Sequence, residues 1–130
     1  MSYVFGSRYL SRLKGVHPDL VKVVKLAAAS MPDDLGFIIT EGVRTLSRQQ
    51  ELVRTGASQT MKSRHLTGHA VDFAPVIGGE VRWDWPLFHR AVPIFKSAAQ
   101  QLNVPLEAGA DWVSFPDGPH LQLPWAEYPA

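Results

Sequence analysis

Two short segments of the chain contain the residue types that hold catalytic metal ions. His65 and Asp72 flank Gly68 in the first segment, and His120 follows Asp117 in the second. A catalytic zinc ion takes three protein ligands and keeps one position open for water. Because the chain has no cysteine, two imidazoles and one carboxylate are the natural ligand set. Asp117, on the approach to His120, could then reach the water without being a ligand itself.

The spacing of the histidines suggests one alternative metal site, and their residue types also allow a purely structural interpretation. His65 and His69 are four residues apart, the separation of a zinc-binding pair on an α-helix. However, Gly68 lies between them, and Leu66 stands where the metalloprotease helix HExxH has its glutamate, so that interpretation fails. The remaining alternative is that these side chains are ordinary polar residues of turns.

Hydrophobic patterning predicts a helix and two strands upstream of and within the first segment. Apolar residues recur at helical spacing over 18–29, which predicts a helix that begins with a proline. Residues 36–40 (GFIIT) are β-branched and bounded by turn residues, which predicts a strand. Residues 70–74 (AVDFA) alternate and predict a second strand, which would carry Asp72 and end at Pro75.

The chain between the two strands contains a candidate helix start. Ser47 followed by Gln50 fits a capping box, which predicts a short helix over 48–55 with Gly56 as its C-cap. Residues 57–70 are polar and irregular.

The second half of the chain predicts one long helical region and several short strands. The helical pattern over 84–103 contains Pro93, which predicts a kink or a division into two helices. Residues 104–123 are expected to form short strands separated by a loop over 114–119, and one of these strands would place His120 beside the first segment. Segregated helices and strands of this kind indicate an α+β fold.

Composition and charge exclude several classes of protein. The 130 residues are about one domain's worth, and we expect a single domain over 1–130. The apolar share of 45%, the charged share of 19% and a mean hydropathy of −0.06 are typical of a soluble globular protein. A net charge of +1 gives no indication of nucleic-acid binding, and the absence of cysteine excludes disulfides and a cysteine nucleophile. No stretch approaches the ~20 apolar residues of a membrane helix, and no secretory signal is recognised, so synthesis in a cytoplasm is expected.

The two metal-binding segments resemble those of a known group of zinc peptidases. Ser-x-His-x-x-Gly-x-Ala-x-Asp at 63–72 is similar to the first metal motif of the D-alanyl-D-alanine carboxypeptidase superfamily. This superfamily includes the vancomycin-resistance D,D-dipeptidases and the L-alanyl-D-glutamate endopeptidases that serve as phage endolysins. Gly-Ala-Asp-Trp at 109–112, then Phe115 and Asp-x-x-His at 117–120, resemble the family's ending, with Ala110 where many relatives have glycine.

A third segment, upstream of the other two, is similar to the phage endolysin branch of the superfamily. Thr-Glu-Gly-Val-Arg-Thr at 40–45 and Arg-Gln-Gln-Glu-Leu at 48–52 resemble its arginine-bearing strand and the helix that follows. Three segments in the same order cover most of residues 17–124.

The resemblance implies a role for each matching residue. His65, Asp72 and His120 would hold one zinc ion per chain. Asp117 would be the general base and acid for the attacking water, a position where many relatives have glutamate. Arg44 would stabilise the developing oxyanion or anchor a carboxylate of the substrate.

Other polar and aromatic residues are expected to have structural roles. An arginine after a strand also pairs readily with a nearby carboxylate, which for Arg44 could be Glu41 or Glu51. His69 is expected at the rim of the pocket or on the surface. Three tryptophans are expected to pack rather than to stack on sugars: Trp83, Trp85 and Trp125.

The fold and function follow from the resemblance as expectations. The fold would be a small, mainly antiparallel sheet flanked by helices, like that of the Hedgehog and D,D-peptidase domains. The function would be zinc-dependent cleavage of the L-Ala–D-Glu bond in the peptidoglycan stem, by a monomer without a separate cell-wall-binding module. Such an endolysin would accumulate in the host cytoplasm and reach the wall through holin-made holes, without inserting into the membrane or binding nucleic acid.

Two rival functions fit the same scaffold. One is a D-alanyl-D-alanine carboxypeptidase or dipeptidase, which must recognise a free terminal carboxylate. The other is a non-catalytic zinc-containing wall-binding module, against which the presence of Asp117 argues.

Overall fold

The computed structural model of the protein describes residues 12–58, 61, 63–113 and 116–129. Within them the predicted α+β class is confirmed, with helices packed on an antiparallel sheet. None of the described helices is long and apolar enough to cross a lipid bilayer. In chain order the elements are α1 (Pro18–Ser30), β1 (Gly36–Glu41), α2 (Leu46–Arg54), β2 (Ala70–Ile77), β3 (Glu80–Val81), α3 (Trp85–Gln101), β4 (Glu107–Ala108) and β5 (His120–Gln122), with 3-10 helices at Arg64–Thr67 and Gly109–Asp111.

The sheet has β2 near its centre and separates the core from the candidate site. Its strand order is β1–β2–β5–β4, all antiparallel, and β3 pairs with the last residues of β2. Because side chains alternate along a strand, Val71 and Phe73 of β2 face the helices while Asp72 points to the other side. In β5, Leu121 belongs to the core and His120 lies directly opposite Asp72.

The hydrophobic core lies between the sheet and the pair α1 and α3. Phe73 is at its centre, with ring centroids 6.1 Å from Phe37, 5.5 Å from Phe88 and 4.7 Å from Phe95. The helices contribute their predicted apolar faces: Leu20, Val23, Val24 and Ala27 from α1, and Phe88, Ala91, Val92 and Phe95 from α3. A cluster of aromatic rings therefore lies directly behind the strand that carries Asp72.

Helix α2 begins earlier than the sequence indicated. Its N-cap is Thr45, whose hydroxyl accepts a hydrogen bond from the Arg48 amide at 3.1 Å. The prediction of a capping box at Ser47 is therefore wrong, because the extended backbone of an N-cap occurs at Thr45 and Ser47 already lies within the helix. The predicted end is close to the observed one, since Gly56 has a φ of 81° directly after the C-cap Thr55.

Strand β2 does not end at Pro75 as predicted, but continues to Ile77. Pro75 lies opposite Phe37 of β1, and its carbonyl accepts a hydrogen bond from the Arg82 amide at 2.9 Å. In a β-strand the N–H and C=O positions of one residue point to the same side, and at Pro75 that side faces β3 and not β1. The missing N–H of proline therefore costs no hydrogen bond to β1.

Helix α3 is continuous, so the predicted division into two helices is wrong. Pro93 lacks an N–H, which leaves the carbonyl of His89 without its helical donor. Both residues lie on the exposed face, where water can bond that carbonyl.

The predicted short strands of the C-terminal part are confirmed as β4 and β5. Part of the region expected to be irregular forms the 3-10 helix Arg64–Thr67, which ends at Gly68 with a left-handed φ of 78°. Of the predicted loop, residues 114 and 115, including the Phe115 of the family resemblance, lie outside the described residues.

The buried side chain of Arg64 links the C-terminal segment to the 3-10 helix that carries His65. The guanidinium of Arg64 donates to the carbonyl of Leu123 at 2.8 and 3.1 Å and to that of Tyr128 at 2.5 Å. It also lies 4.1 Å from the centre of the Trp125 ring. The side chain of Arg64 is buried, so these contacts link the two segments inside the protein.

Replacing this arginine is therefore expected to destabilise the fold. Arg64→Ala should lower the free energy of unfolding by about 2–4 kcal/mol, because buried carbonyls lose a charged donor. The matched control is Arg90→Ala, since Arg90 is exposed and pairs with Asp34 at the surface; its cost should stay within about 0.5 kcal/mol. Urea unfolding followed by circular dichroism measures both, and similar small losses in the two variants would contradict the assignment.

Candidate functional site

The structure brings together the three residues that the sequence predicted as metal ligands. One nitrogen of His65, one of His120 and one carboxylate oxygen of Asp72 lie within 4.8 Å of one another. The Asp72 Oδ1 atom is 3.2 Å from His65 Nε2 and 3.3 Å from His120 Nδ1. These residues come together because β5 pairs with β2 and the 3-10 helix precedes β2.

The ring of His65 is fixed by the backbone around it. Its Nδ1 is 2.9 Å from the Gly42 carbonyl and must donate there, which leaves Nε2 facing Asp72. Its backbone amide donates to the Ser63 hydroxyl at 3.2 Å. The left-handed turn at Gly68 then leads directly into β2, and a side chain at Gly68 would collide with the backbone carbonyl of Gly15.

The ring of His120 is held by a chain of three polar side chains. Its Nε2 donates to the Gln122 Oε1 at 2.7 Å, and the Gln122 amide donates to Glu107 Oε2 at 3.1 Å. The other oxygen of Glu107 accepts from the Trp112 indole at 2.8 Å. This chain, in which Gln122 is buried and Glu107 and Trp112 are half-buried, leaves His120 Nδ1 facing Asp72.

Charge interactions at the centre of the site favour an ionised Asp72. Burial alone would raise the pKa of Asp72, but hydrogen bonds from His120 and His65 outweigh it and hold that pKa well below its usual range. Burial would lower the pKa of His120, but the hydrogen bond and the charge of Asp72 raise it. The carboxylate is therefore ready to act as an anionic ligand.

Asp117 lies beside the three residues without being one of them. Its backbone amide donates to the Gly109 carbonyl at 2.9 Å, and its carbonyl accepts from the His120 amide at 3.2 Å. A side chain at Gly109 would come within 2.5 Å of the Asp117 carbonyl oxygen and 2.9 Å of the His120 Cβ, so only glycine fits there. Burial and the negative charge of Asp72 raise the pKa of Asp117, which suits a group that exchanges protons.

Arg44 reaches the opposite side of Asp72, but its nearest partner is Glu41. Its Nε donates to Glu41 Oε1 at 2.7 Å and its Nη2 contacts the same oxygen, whereas Nη2 is 3.9 Å from Asp72 Oδ2. Its Nη1 donates to Gln49 Oε1 at 2.6 Å. Of the two carboxylates that the sequence offered as partners for Arg44, the structure therefore selects Glu41.

A bulge in β1 explains why Glu41 is available. Ile39 lies opposite Phe73, but the next pair is Glu41 with Asp72, so Thr40 is the extra residue. A bulge of this kind redirects the side chains that follow it. Glu41 therefore lies opposite Asp72, where regular pairing would have placed Thr40.

His69 and three tryptophans lie outside the group of candidate site residues. His69 is half-buried with its Nδ1 2.6 Å from the Thr67 hydroxyl, so the alternative pairing of His65 with His69 is not formed. The three tryptophans that were expected to pack do contact other rings or Arg64, but large fractions of their side chains are exposed: 57% in Trp83, 43% in Trp85 and 45% in Trp125.

Comparisons with known proteins show which family the chain belongs to. The family model described as phage L-alanyl-D-glutamate peptidase matches residues 1–123. The chain is 37% identical over 116 residues to the L-alanyl-D-glutamate peptidase of Escherichia phage T5, which covers 86% of this chain and 83% of that protein. It is 30% identical over 132 residues to the peptidoglycan L-alanyl-D-glutamate endopeptidase CwlK of Bacillus subtilis, covering 83% and 75%. The crystal structure of the Serratia marcescens L-Ala D-Glu endopeptidase ChiX superposes with a TM-score of 0.90 at 42% identity, over 97% of this chain and 93% of that one.

The chain behind His120 predicts an effect on metal affinity. Gln122→Ala should weaken the binding of a metal ion at the group His65, Asp72 and His120 by about 10–100-fold, because His120 Nε2 loses the acceptor that fixes its ring. Glu107→Gln should have a smaller effect, since it keeps one of the two oxygen acceptors. Competition with a chromophoric chelator measures the affinity, and circular dichroism checks the fold. The control is Gln101→Ala on the exposed face of α3, and an unchanged affinity in Gln122→Ala would refute the role.

The interaction of His120 with Asp72 also predicts how pH affects the metal-free protein. The raised pKa of His120 means that the interaction stabilises the fold below the ordinary value of 6.5 and is lost as pH rises through the raised pKa. The lowered pKa of Asp72 means that its contribution is complete above the ordinary value of 3.8. The metal-free protein should therefore be more stable at about pH 6 than at about pH 8.

Urea unfolding in the presence of a chelator at both pH values tests this expectation. His120→Asn should reduce the difference, whereas His89→Asn, on the exposed face of α3, should leave it in place. A difference that survives unchanged in His120→Asn would show that another group causes it.

Proposed function

Because this chain belongs to the phage L-alanyl-D-glutamate peptidase family, we propose that it hydrolyses the L-Ala–D-Glu bond in the peptide stem of bacterial peptidoglycan. One observation supports this proposal above all: His65, Asp72 and His120 lie close together on one face of the sheet, and Asp117 lies beside them. Such a group offers donors for a metal ion and a separate carboxyl for proton transfer. The protein would act as an endolysin that reaches the wall from the host cytoplasm through holin-made holes.

The donor set fits one zinc ion. Two imidazole nitrogens and one carboxylate oxygen are a ligand combination of catalytic zinc sites. His65 would offer Nε2 and His120 would offer Nδ1, since their other nitrogens are bonded to Gly42 and Gln122. The chemistry that zinc supplies when bound is Lewis acidity, which makes water nucleophilic near neutral pH.

Asp117 is the residue for proton transfer. Its carboxyl is outside the donor set, and burial together with the charge of Asp72 raises its pKa, which makes it a better proton acceptor than an ordinary aspartate. It would accept a proton from the attacking water and then donate one to the amino group that leaves as the peptide bond breaks. The hydrogen bond from its amide to Gly109 holds the backbone while this happens.

Arg44 provides positive charge on the other side of Asp72. It would orient the Asp72 carboxylate and stabilise an oxyanion, or anchor a carboxylate of the D-glutamate residue. Glu41 and Gln49 fix its guanidinium in place, and the side chain of Arg44 is largely buried. A fixed guanidinium loses little entropy when it meets a substrate.

Product analysis with a variant of Asp117 tests the reaction and its base together. The zinc-loaded protein should release peptidoglycan fragments with a new D-Glu N-terminus, detected by mass spectrometry. Asp117→Asn should lower the rate by about 10²–10⁴-fold, because proton transfer is lost, while the zinc content stays the same. The matched control is Asp34→Asn, since Asp34 is exposed and pairs with Arg90 at the surface; it should keep its activity.

Three results would contradict the proposal. Removal of only a terminal D-Ala would identify a D,D-carboxypeptidase. An intact protein that binds zinc and peptidoglycan without releasing products would be a wall-binding module. Full activity in Asp117→Asn would assign the proton transfer to another group.

A further inference from the structure

Two tryptophans at the start of α3 are unusually exposed for their size. Trp83 precedes the N-cap Asp84, and Trp85 is the first residue of the helix. Their side chains are 57% and 43% exposed, and the ring of His89 lies against Trp85 with centroids 5.6 Å apart. These three side chains form what we call the aromatic patch. Clusters of exposed aromatic side chains rimmed by polar residues are candidates for binding sites, whereas single exposed apolar residues are common and need no explanation.

The aromatic patch is connected to the loop of Asp117 through one buried ring. Phe88 lies 6.4 Å from Trp83 and 6.0 Å from Trp85 between ring centroids. On another side, the same Phe88 ring packs so tightly under Gly118 that a Cβ there would lie 3.0–3.3 Å from its atoms. Gly118 directly follows Asp117, so the ring of Phe88 packs against both the aromatic patch and the loop that contains Asp117.

The substrate of the proposed function carries a sugar close to the bond that is cut. The L-alanine of the stem is joined by an amide bond to the lactyl group of N-acetylmuramic acid. One residue, or about 3.8 Å of chain, therefore separates the L-Ala–D-Glu bond from that lactyl group. An enzyme that cuts this bond in intact peptidoglycan must accommodate the glycan strand near its centre.

The chemistry of the patch suits such a strand. The C–H groups on the flat face of a pyranose ring pack on the electron-rich face of an indole. Arg82 and Asp84 flank Trp83 in an exposed ion pair at 2.6 Å, and with His89 they offer donors and acceptors for hydroxyl and acetamido groups. Aromatic side chains flanked by charged groups also occur at protein interfaces, and the sugar that lies close to the cleaved bond of the proposed substrate is what favours a glycan here.

We propose that Trp83 and Trp85 form a glycan subsite that binds the N-acetylated amino sugars of the peptidoglycan strand next to the cleaved bond. This inference rests on the proposed function. It assigns to the catalytic domain itself a contact with the glycan part of its substrate.

Two substrates that differ only in the sugar test this subsite. One is a stem peptide that still carries its disaccharide, and the other is the same peptide with a free L-Ala N-terminus. For the sugar-bearing substrate, the double variant Trp83→Ala/Trp85→Ala should raise KM by about tenfold with little change in kcat. For the free peptide, both constants should stay near those of the unchanged protein.

The matched control is Trp125→Ala. Trp125 is as exposed as Trp85, but it packs on Arg64 and has no described contact with the aromatic patch. It should affect both substrates alike or neither. Thermal unfolding of all variants identifies those that are misfolded, and Trp83→Leu/Trp85→Leu replaces the alanine pair if that pair does not fold.

A direct binding measurement separates this inference from the proposed function. Peptide-free glycan strands should change the tryptophan fluorescence of the unchanged protein and bind about tenfold more weakly to the double variant. If the protein cleaves neither substrate but binds these strands through the two tryptophans, the proposed function fails and the subsite stands. Equal losses on both substrates, no loss on either, or no glycan binding would overturn the subsite, and the last result would leave the patch as a surface for a protein partner.

Discussion

The register between β2 and β5 is the constraint on which the rest of the site depends. It places His120 opposite Asp72, and it is fixed from the other face of the sheet, where Phe73 and Leu121 are buried in the core. A slip by one residue would turn every side chain of a strand to the opposite face. The hydrophobic core therefore specifies the polar site indirectly, since one slip would both expose Phe73 and separate His120 from Asp72.

The hydrogen bonds that the two imidazoles make on the side away from Asp72 orient both rings before a metal ion binds. Gly42 fixes the tautomer of His65, and Gln122 fixes that of His120. Buried polar groups are stable only when they are satisfied, and here each acceptor belongs to the backbone or to a continuing chain of hydrogen bonds. Because the rings are already oriented, less entropy would be lost on binding zinc than in a site of mobile histidines.

Local sequence patterns predicted the elements, whereas contacts between elements decided the details. The apolar spacing of α1 and the strand composition around residues 36–40 were sufficient for those elements. The residue types alone left the grouping of His65, Asp72 and His120 open, and the family resemblance selected it. The bulge at Thr40 and the chain from Gln122 to Trp112 could not be predicted, because each depends on a partner distant in sequence. Pro75 shows the same limit: proline stops a strand only if its missing N–H faces a partner strand, and that direction is set by the sheet.

Two aspartates at one site acquire opposite properties from their surroundings. Asp72 lies between two imidazoles that lower its pKa, while Asp117 is buried near the charge of Asp72, which raises its pKa. Pairs of carboxyls whose pKa values are separated in this way divide the roles of permanent anion and proton carrier. The first is suited to hold a cation and the second to move a proton. The negative charge of Asp72 is itself one of the causes that raise the pKa of Asp117, so the properties of the two carboxyls are coupled through the distance between the strand and the loop.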